Sequence, residues 1–523
     1  MTGLAAPAGS PVRVAARAPA SRHRTLPGAA LGRATGVSLG VAATLGIPAV
    51  ATAHGLSPVY QSALPLSVYL VGAAVTVALS FLFVLARDVR APEIVDGRLA
   101  RVPGLLRLVL RAIGLIAWGW IVAQALSGGS SDAAVAPLLL WVFGWVGIAF
   151  CSALLFPVWE WLDPFATIHD LLAWVLRTLG VRGWRLSVLP DAARTWPAVI
   201  GLAFFVWLEL VPVISPATLS VVLVGYTLLT VALMAQFGRD EWRAQGETFT
   251  VWFRTLNRLA PFGVVPAART AEPDDEEPDP DAVDSTVLER RPFATGLLRG
   301  PWSMALVALC AVGVASIIFD GLSQTVAFAS VFGAPNLVSK TLLLLGWLAI
   351  VTGAALAVGR LVSVGAIGAG LLPIAVGYLL AHYLTYLLIN GQYLIVAVSD
   401  PLQQGWDLFG TAFFVPTFDW LPPGLVWTAQ LAAVVGGHMI GAWAGHVTAQ
   451  RDMESLAARP TRDMRHRKIP GATNGTARDV RMREIPLAVV MVALTTITLW
   501  SLGQTIVVET EPEAAVPAHI SDS

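Results

Sequence analysis

Residues 341–362 read TLLLLGWLAIVTGAALAVGRLV, and their only ionisable side chain is Arg360, close to the end of the stretch. As an α-helix this segment is about 33 Å long, which matches the hydrocarbon core of a bilayer at about 30 Å. A helix also satisfies every backbone hydrogen bond within one segment, as lipid requires. The stretch therefore predicts a transmembrane helix.

Similar apolar runs recur along the chain. Hydrophobic residues make up 56% of the sequence and charged residues 13%, about half the charged share of a soluble domain. The sequence therefore predicts an all-α fold, a polytopic transmembrane helix bundle of about ten spans in contact with the lipid bilayer. A net charge of zero argues against nucleic acid as a partner. The other predicted spans are 65–86, 104–126, 133–156, 196–214, 216–236, 302–322, 366–394, 425–449 and 485–508.

The N-terminus has the pattern of a signal sequence. Residues 1–33 are rich in arginine, residues 36–50 are apolar, and Ala51-Thr52-Ala53 forms a small-x-small cleavage signal. Residues 1–53 are thus predicted to be a disordered basic segment and signal peptide, with His54 as the first mature residue. The alternative is an uncleaved signal anchor, which adds one helix.

Arginines set the predicted orientation in the cell membrane. The loops after the first, third, fifth and ninth predicted spans carry several arginines, whereas residues 127–132 and 395–424 contain no lysine or arginine. Because cytoplasmic loops collect basic residues, every second loop is predicted to be cytoplasmic, with both mature termini extracytoplasmic.

The loop after the fifth predicted span divides the chain into two halves of about five spans each. Residues 54–271 form the first predicted membrane half and residues 301–508 the second. Residues 272–300 begin with an acidic, proline-rich run and are predicted to be a cytoplasmic linker. Residues 509–523 form an acidic extracytoplasmic tail.

Four ionisable residues lie inside predicted spans and, by the predicted orientation, share the outer half of the membrane: Glu209, Asp320, His382 and His438. Because such side chains are costly in hydrocarbon, each is a candidate for function. The alternative is that each only hydrogen-bonds a neighbouring helix and fixes its packing.

Helical spacing gives two of these spans a distinct face. The span 366–394 has a polar residue at every fourth position along one face. The span 425–449 carries a ridge of glycines next to His438, which allows another helix to pack closely there. The polar stripe is Tyr378, His382, Tyr386 and Asn390, and the ridge is Gly437, Gly441 and Gly445.

Two imidazoles with a carboxylate suit a divalent metal such as Zn, Fe or Mn. We therefore expect His382, His438 and Asp320 as metal ligands, and His382, Glu209 and Asp320 as catalytic residues. If cleavage follows Ala53, the free amino group and imidazole of His54 form a chelate that favours Cu(II). The alternative for His54 is an ordinary exposed residue beside a cleavage site.

Several segments resemble a family of actinobacterial membrane proteins that carries the label fenitrothion hydrolase. The resemblance covers the chain from Ala53 to about Gln450 and implies organophosphate P–O hydrolysis at the membrane, but it carries no catalytic residue with it. The similar segments are AHGL at Ala53–Leu56, FGRDEWRAQGETFTVWF at Phe237–Phe253, FDGLS at Phe319–Ser323, AHY at Ala381–Tyr383, SDPLQQGWDLFGTA at Ser399–Ala412 and GHMIGAWAGH at Gly437–His446.

Two functions are consistent with this pattern. The first is a metal-dependent membrane hydrolase acting on an apolar small molecule. The second is a metal-ion or small-solute permease, or a metal-delivery protein, that uses the same residues as a transit site. A permease needs polar residues that continue toward the cytoplasm, and the sequence offers only His446 and Gln450 there. This favours a site open to the outside alone.

Overall fold

A computed structural model describes residues 99–127, 134–181, 186–265 and 287–457, together with positions 75, 489, 492–494, 496, 497 and 500. Apart from these single positions, several predicted features lie outside the described residues. They are the signal peptide 1–53, His54, the spans 65–86 and 485–508, the acidic run 272–284 and the tail 509–523.

The described chain is mostly helical, with three short strands. The helices are α1 Gly104–Ser127, α2 Val135–Leu154, α3 Trp159–Leu162, α4 Pro164–Thr178, α5 Trp196–Leu210, α6 Pro216–Phe237, α7 Arg239–Gln245, α8 Thr248–Leu256, α9 Met304–Ser323, α10 Val326–Phe332, α11 Leu337–Leu361, α12 Val364–Asn390, α13 Tyr393–Ser399 and α14 Pro423–Ala457. The strands are β1 Leu99–Arg101, β2 Phe262–Val265 and β3 Val287–Arg290.

Eight helical segments of the described chain are long and apolar enough to cross a membrane. They coincide with the eight predicted spans that fall within the described residues, so the prediction of a polytopic helix bundle is confirmed at that level. The segments are α1, α2, α5 with the turn before it, α6, α9, α11, α12 continuing into α13, and α14 up to Asp452.

A small antiparallel sheet, in the order β1-β3-β2, includes part of the predicted linker. Within residues 272–300, β3 pairs Leu288 with Val264 of β2. Val287 and Glu289 point inward and are buried, and Arg299 forms an ion pair with Glu289. A strand this short is hard to recognise beside an acidic, proline-rich run.

Helix α8 is buried in the bundle although its composition suggests a position at the membrane surface. Its mixture of Trp, Phe and Arg is typical of a helix lying on the membrane surface. In the structure α8 packs against α2 and α5 instead, and Trp252 and Leu256 are almost completely buried. The Trp252 ring stacks on Trp145 of α2, with 5.8 Å between centroids. An amphipathic pattern alone does not tell a protein interior from a lipid interface.

Helix α9 forms the centre of the described bundle and packs against α5, α11 and α12. Beside it, α12 and α14 approach each other closely through glycines. A Cβ atom added at Gly437 would lie 2.5 Å from the carbonyl oxygen of Pro373, and one at Gly441 would lie 2.5 Å from that of Gly370. The glycine ridge that the sequence predicts therefore allows the two backbones to meet.

This contact makes Gly437→Ala destabilising. Its methyl group has to displace the α12 backbone, which we expect to cost about 1–3 kcal/mol. The neighbouring Gly436 faces open space, so Gly436→Ala is a matched control that should gain up to about 1 kcal/mol of helix propensity. Thermal unfolding in detergent measures both variants. Equal melting temperatures for the two would show that the helices do not touch at Gly437.

Candidate functional site

The centre of the site is Asp320, which lies one turn from the end of α9 and is only 3% exposed. Its Oδ2 lies 2.9 Å from His382 Nε2 and accepts a hydrogen bond of 2.9 Å from the Tyr383 hydroxyl. Its Oδ1 accepts a hydrogen bond of 2.8 Å from Gln324 Nε2. The carboxyl of Asp320 thus joins α9 to two neighbouring side chains of α12.

The packing of α9 against α12 explains this arrangement. His382 and Tyr383 are consecutive residues, so their side chains leave α12 about 100° apart and reach Asp320 from two directions. Their rings meet edge to face, with centroids 4.6 Å apart. Tyr383 is buried, and the side chain of His382 keeps some exposure.

Glu209 adds a second carboxyl from α5, which also packs against α9. Glu209 is buried near the end of α5, close enough for its charge to act on Asp320, Tyr383 and Tyr386. The structure therefore brings together three of the four ionisable residues that the sequence singles out.

The remaining residues of the predicted polar stripe surround this group. Tyr378 is almost completely buried and places its ring 5.9 Å from that of His382. Tyr386 contacts the ring of Tyr383, with 6.0 Å between centroids. Asn390 donates back to the carbonyl of Tyr386 in its own helix. Tyr383 itself was missed, because it lies one position away from the stripe.

His438 is not part of this group. Gln430 Nε2 donates to the carbonyl of Ala381, which places His382 level with Gln430. His438 lies eight positions further along α14, about 12 Å along the helix axis. It is buried there, and its Nδ1 lies 2.7 Å from the carbonyl oxygen of Val434. The structure thus separates the two imidazoles that the sequence was expected to bring together.

This separation bears on the predicted metal. Ligands of one ion have to lie about 2 Å from it. Among the described residues, no group of three or more His, Cys, Asp or Glu side chains is placed to hold a metal ion. A Zn, Fe or Mn ion held jointly by His382, His438 and Asp320 does not fit this geometry. The copper chelate at His54 lies outside the described residues and stays a prediction.

The sequence interpretation also missed a buried ionic network between α3, α4, α7 and α8. Arg243 donates to Asp163 Oδ2 at 2.9 Å and to Glu160 Oε2 at 3.3 Å. Arg254 donates to the same Glu160 oxygen at 2.8 Å. These residues lie outside the predicted spans, where a charged side chain carries no signal. The only hint is that they stand among aromatic residues, in VWEWLDP and RDEWRAQGETF.

The charges of this network are paired with one another, so the network stabilises the packing of the helices that carry it. Burial alone would raise the pKa of Glu160, but Arg254 and Arg243 outweigh it and hold the pKa at about 2. Burial, and then the charge of Asp163, raises the pKa of Glu247. Glu247 caps α8 by accepting from the backbone N–H of Thr250 at 2.6 Å. Because these groups are already engaged, the network ties helices together and is not a reactive site.

His382 is the residue of this site that can act as a general base. When Asp320 is ionised it only accepts hydrogen bonds, so the shared bond places the proton of His382 on Nε2 and a lone pair on Nδ1. Among the described residues, nothing hydrogen-bonds to Nδ1 of His382. An imidazole oriented by a carboxylate, with its second nitrogen open, can take a proton as a general base.

Fold class alone does not imply an activity, so a function has to be argued from the site. The described site offers a carboxylate-held imidazole, a second carboxyl and a tyrosine hydroxyl within a transmembrane bundle. No protein-family model matches the chain, and no curated protein or solved structure is significantly similar to it.

Proposed function

We propose that this protein is an integral membrane hydrolase in which His382, held by Asp320, activates water against an apolar ester. The observation that carries the proposal is the contact between His382 Nε2 and Asp320 Oδ2, which leaves Nδ1 as the base. The resemblance to proteins labelled fenitrothion hydrolase implies organophosphate triesters as the substrate class. Such triesters are uncharged and partition into lipid, which accounts for a site built inside the bundle.

The reaction uses groups of this chain alone. Nδ1 of His382 takes a proton from water while the water oxygen forms a bond to phosphorus. The bond between phosphorus and the aryloxy oxygen breaks, and the phenolate leaves with the electron pair. The imidazolium then returns its proton to the phenolate, so the products are a phosphodiester and a phenol. Asp320 stabilises the positive charge on His382 during the step.

Tyr383 and Gln324 position the carboxyl. Both donate to Asp320, so this carboxyl stays fixed whether or not His382 is charged. With the arginine-rich loops in the cytoplasm, the site faces the extracytoplasmic half of the membrane. A substrate then reaches it from the outer leaflet.

A permease is the second candidate, because buried histidines continue along α14. His438 and His446 lie eight positions apart on this helix, and His446 Nε2 lies 3.0 Å from Gln450 Nε2. The glycine contacts between α12 and α14, however, leave no room for a solute between these two helices. This close packing supports the hydrolase over the permease.

The two proposals separate in one assay on purified protein in lipid vesicles. The vesicles enclose a fluorescent indicator for Zn²⁺ and Mn²⁺. An aryl dialkyl phosphotriester is added outside in one experiment, and Zn²⁺ or Mn²⁺ in another. A hydrolase releases the phenol with saturable kinetics and leaves the indicator signal unchanged after the metal ion is added. Metal uptake without phenol release would reverse the preference. Empty vesicles give the background for both signals.

A further inference from the structure

A large apolar cavity lies mainly among helices of the first half of the bundle, and α12 and α13 add Leu387, Leu388 and Ile395 to its lining. Its volume is about 1700 Å³, and α1, α2, α5, α6 and α8 contribute to its walls. Ligand pockets are usually about 300–1,000 Å³, so this cavity exceeds the need of a small substrate. Leu, Ile, Val and aromatic side chains make up most of the described lining, and the aromatic ones include Trp118, Phe143, Phe204, Tyr226 and Phe249.

The cavity is elongated along the spans. On α6 its lining runs from Leu219 to Leu233, fourteen positions apart, which corresponds to about 21 Å of helix. One leaflet of a bilayer contributes about 15 Å of the hydrocarbon core. The cavity is therefore long enough to take an acyl chain that occupies one leaflet.

Exposed lining residues flank the gap between α5 and α6: Ile200 is 69% exposed, Phe204 51% and Leu229 57%. These consecutive helices have different neighbours, because α5 packs against α8 and α9 whereas α6 packs against α1, the start of α2, α4 and α7. Both helices are long and apolar enough to cross a membrane, and in a bilayer these exposed residues would face hydrocarbon.

The polar atoms of the lining are directed into the protein. Trp118 donates its indole N–H to Thr227 at 3.0 Å, and Tyr226 donates its hydroxyl to Glu247 at 2.5 Å. Trp159, which also lines the cavity, donates to Thr250 at 3.1 Å. These rings therefore present carbon atoms to the cavity, and an apolar cavity does not hold ordered water.

We infer that this cavity binds the acyl chain of a membrane lipid, which enters from the bilayer between α5 and α6. A hydrocarbon chain matches the lining, the length and the position of the gap, and it makes no demand for hydrogen bonds. The inference does not rest on the hydrolase proposal, since none of Glu209, Asp320 and His382 lines the cavity.

A photoactivatable phospholipid tests this inference. The full chain is reconstituted in phosphatidylcholine vesicles that contain a phosphatidylcholine with a diazirine on its acyl chain, and crosslinks are mapped after irradiation. We expect labelling of Leu208 and Leu223, which line the cavity but are buried from the outer surface of the bundle. Labelling confined to exposed residues would overturn the inference, and would mean that protein, such as the predicted span 65–86, fills the gap.

Matched glycine variants make the test specific. Gly225 lines the cavity with open space around it, so Gly225→Trp fits there and narrows the cavity. Gly353 on α11 also faces open space, so Gly353→Trp is the control. Labelling of Leu223 should be lost in the first variant and kept in the second, and also kept in His382→Ala. Equal labelling in both glycine variants would contradict binding in the cavity.

Discussion

His382→Ala should abolish hydrolysis and leave the protein folded and inserted. Removing the general base takes away the lone pair on Nδ1, which we expect to lower kcat by about 10²–10⁴-fold. The fold should tolerate the change, because Asp320 still accepts hydrogen bonds from Tyr383 and Gln324. The rate of phenol release from a phosphotriester in proteoliposomes gives the loss. Size-exclusion chromatography and thermal unfolding report on folding.

His446→Gln is the matched control for this variant. His446 is a buried histidine in the C-terminal half of α14. A glutamine at this position keeps a hydrogen-bonding group for Gln450. Its turnover should stay within about threefold of wild type, well below the effect of removing a general base. Normal turnover by His382→Ala would show that His382 is only a packing residue. A comparable loss in both variants would show that the effect is not specific to the proposed base.

Glu160→Gln should be among the most destabilising substitutions outside the spans. Glu160 is buried between Arg243 and Arg254, and its loss leaves Asp163 as the only carboxylate bonded to Arg243 among the described residues. Breaking a buried pair from one side costs about 3–5 kcal/mol. Asp240→Asn is the control, since the side chain of Asp240 is largely exposed and its pair with Arg239 should be worth about 1 kcal/mol or less. Similar melting temperatures for the two variants would show that the buried ion pairs of Glu160 do not stabilise the fold.

The same residue predicts a pH dependence. The pKa of Glu160 is about 2 in the folded protein, below its ordinary value of 4.5. The stabilisation is therefore complete above about pH 5 and is lost as the pH falls through 4.5 toward 2. At about 1.4 kcal/mol per pKa unit, this amounts to roughly 3 kcal/mol. The melting temperature of the wild type should fall over this window, and that of Glu160→Gln should fall less. Parallel curves would assign the acid sensitivity to other groups.

The membrane fold was predictable because its signal is carried by composition. Each described span is a run of apolar residues long enough to cross a bilayer, and that pattern needs no knowledge of neighbouring helices. Asp320, His382 and Glu209 were found for a related reason, since an ionisable residue in an apolar run stands out without any alignment. The glycine ridge at Gly437 and Gly441 was found in the same way.

The pairing of these residues was not predictable, because it depends on packing between distant helices. Tyr383 joins Asp320 only because α12 presents two adjacent faces to α9, whereas the stripe through His382 marks one face. The contacts of Gln430, Gly437 and Gly441 with α12 fix how α14 is aligned along that helix. This alignment places His438 away from His382. The ionic network around Glu160 lies in connecting segments, where charge is ordinary in any sequence.

Hydrolysis in ¹⁸O-labelled water tests the central claim most directly. The purified protein in lipid vesicles is given an aryl dialkyl phosphotriester, and both products are analysed by mass spectrometry. If His382 directs water to phosphorus, the phosphodiester carries one ¹⁸O atom from water and the phenol carries none, and His382→Ala yields neither product above empty vesicles. Isotope in the phenol, or no product above background from the wild-type protein, would contradict the assignment of this site as a phosphotriester hydrolase.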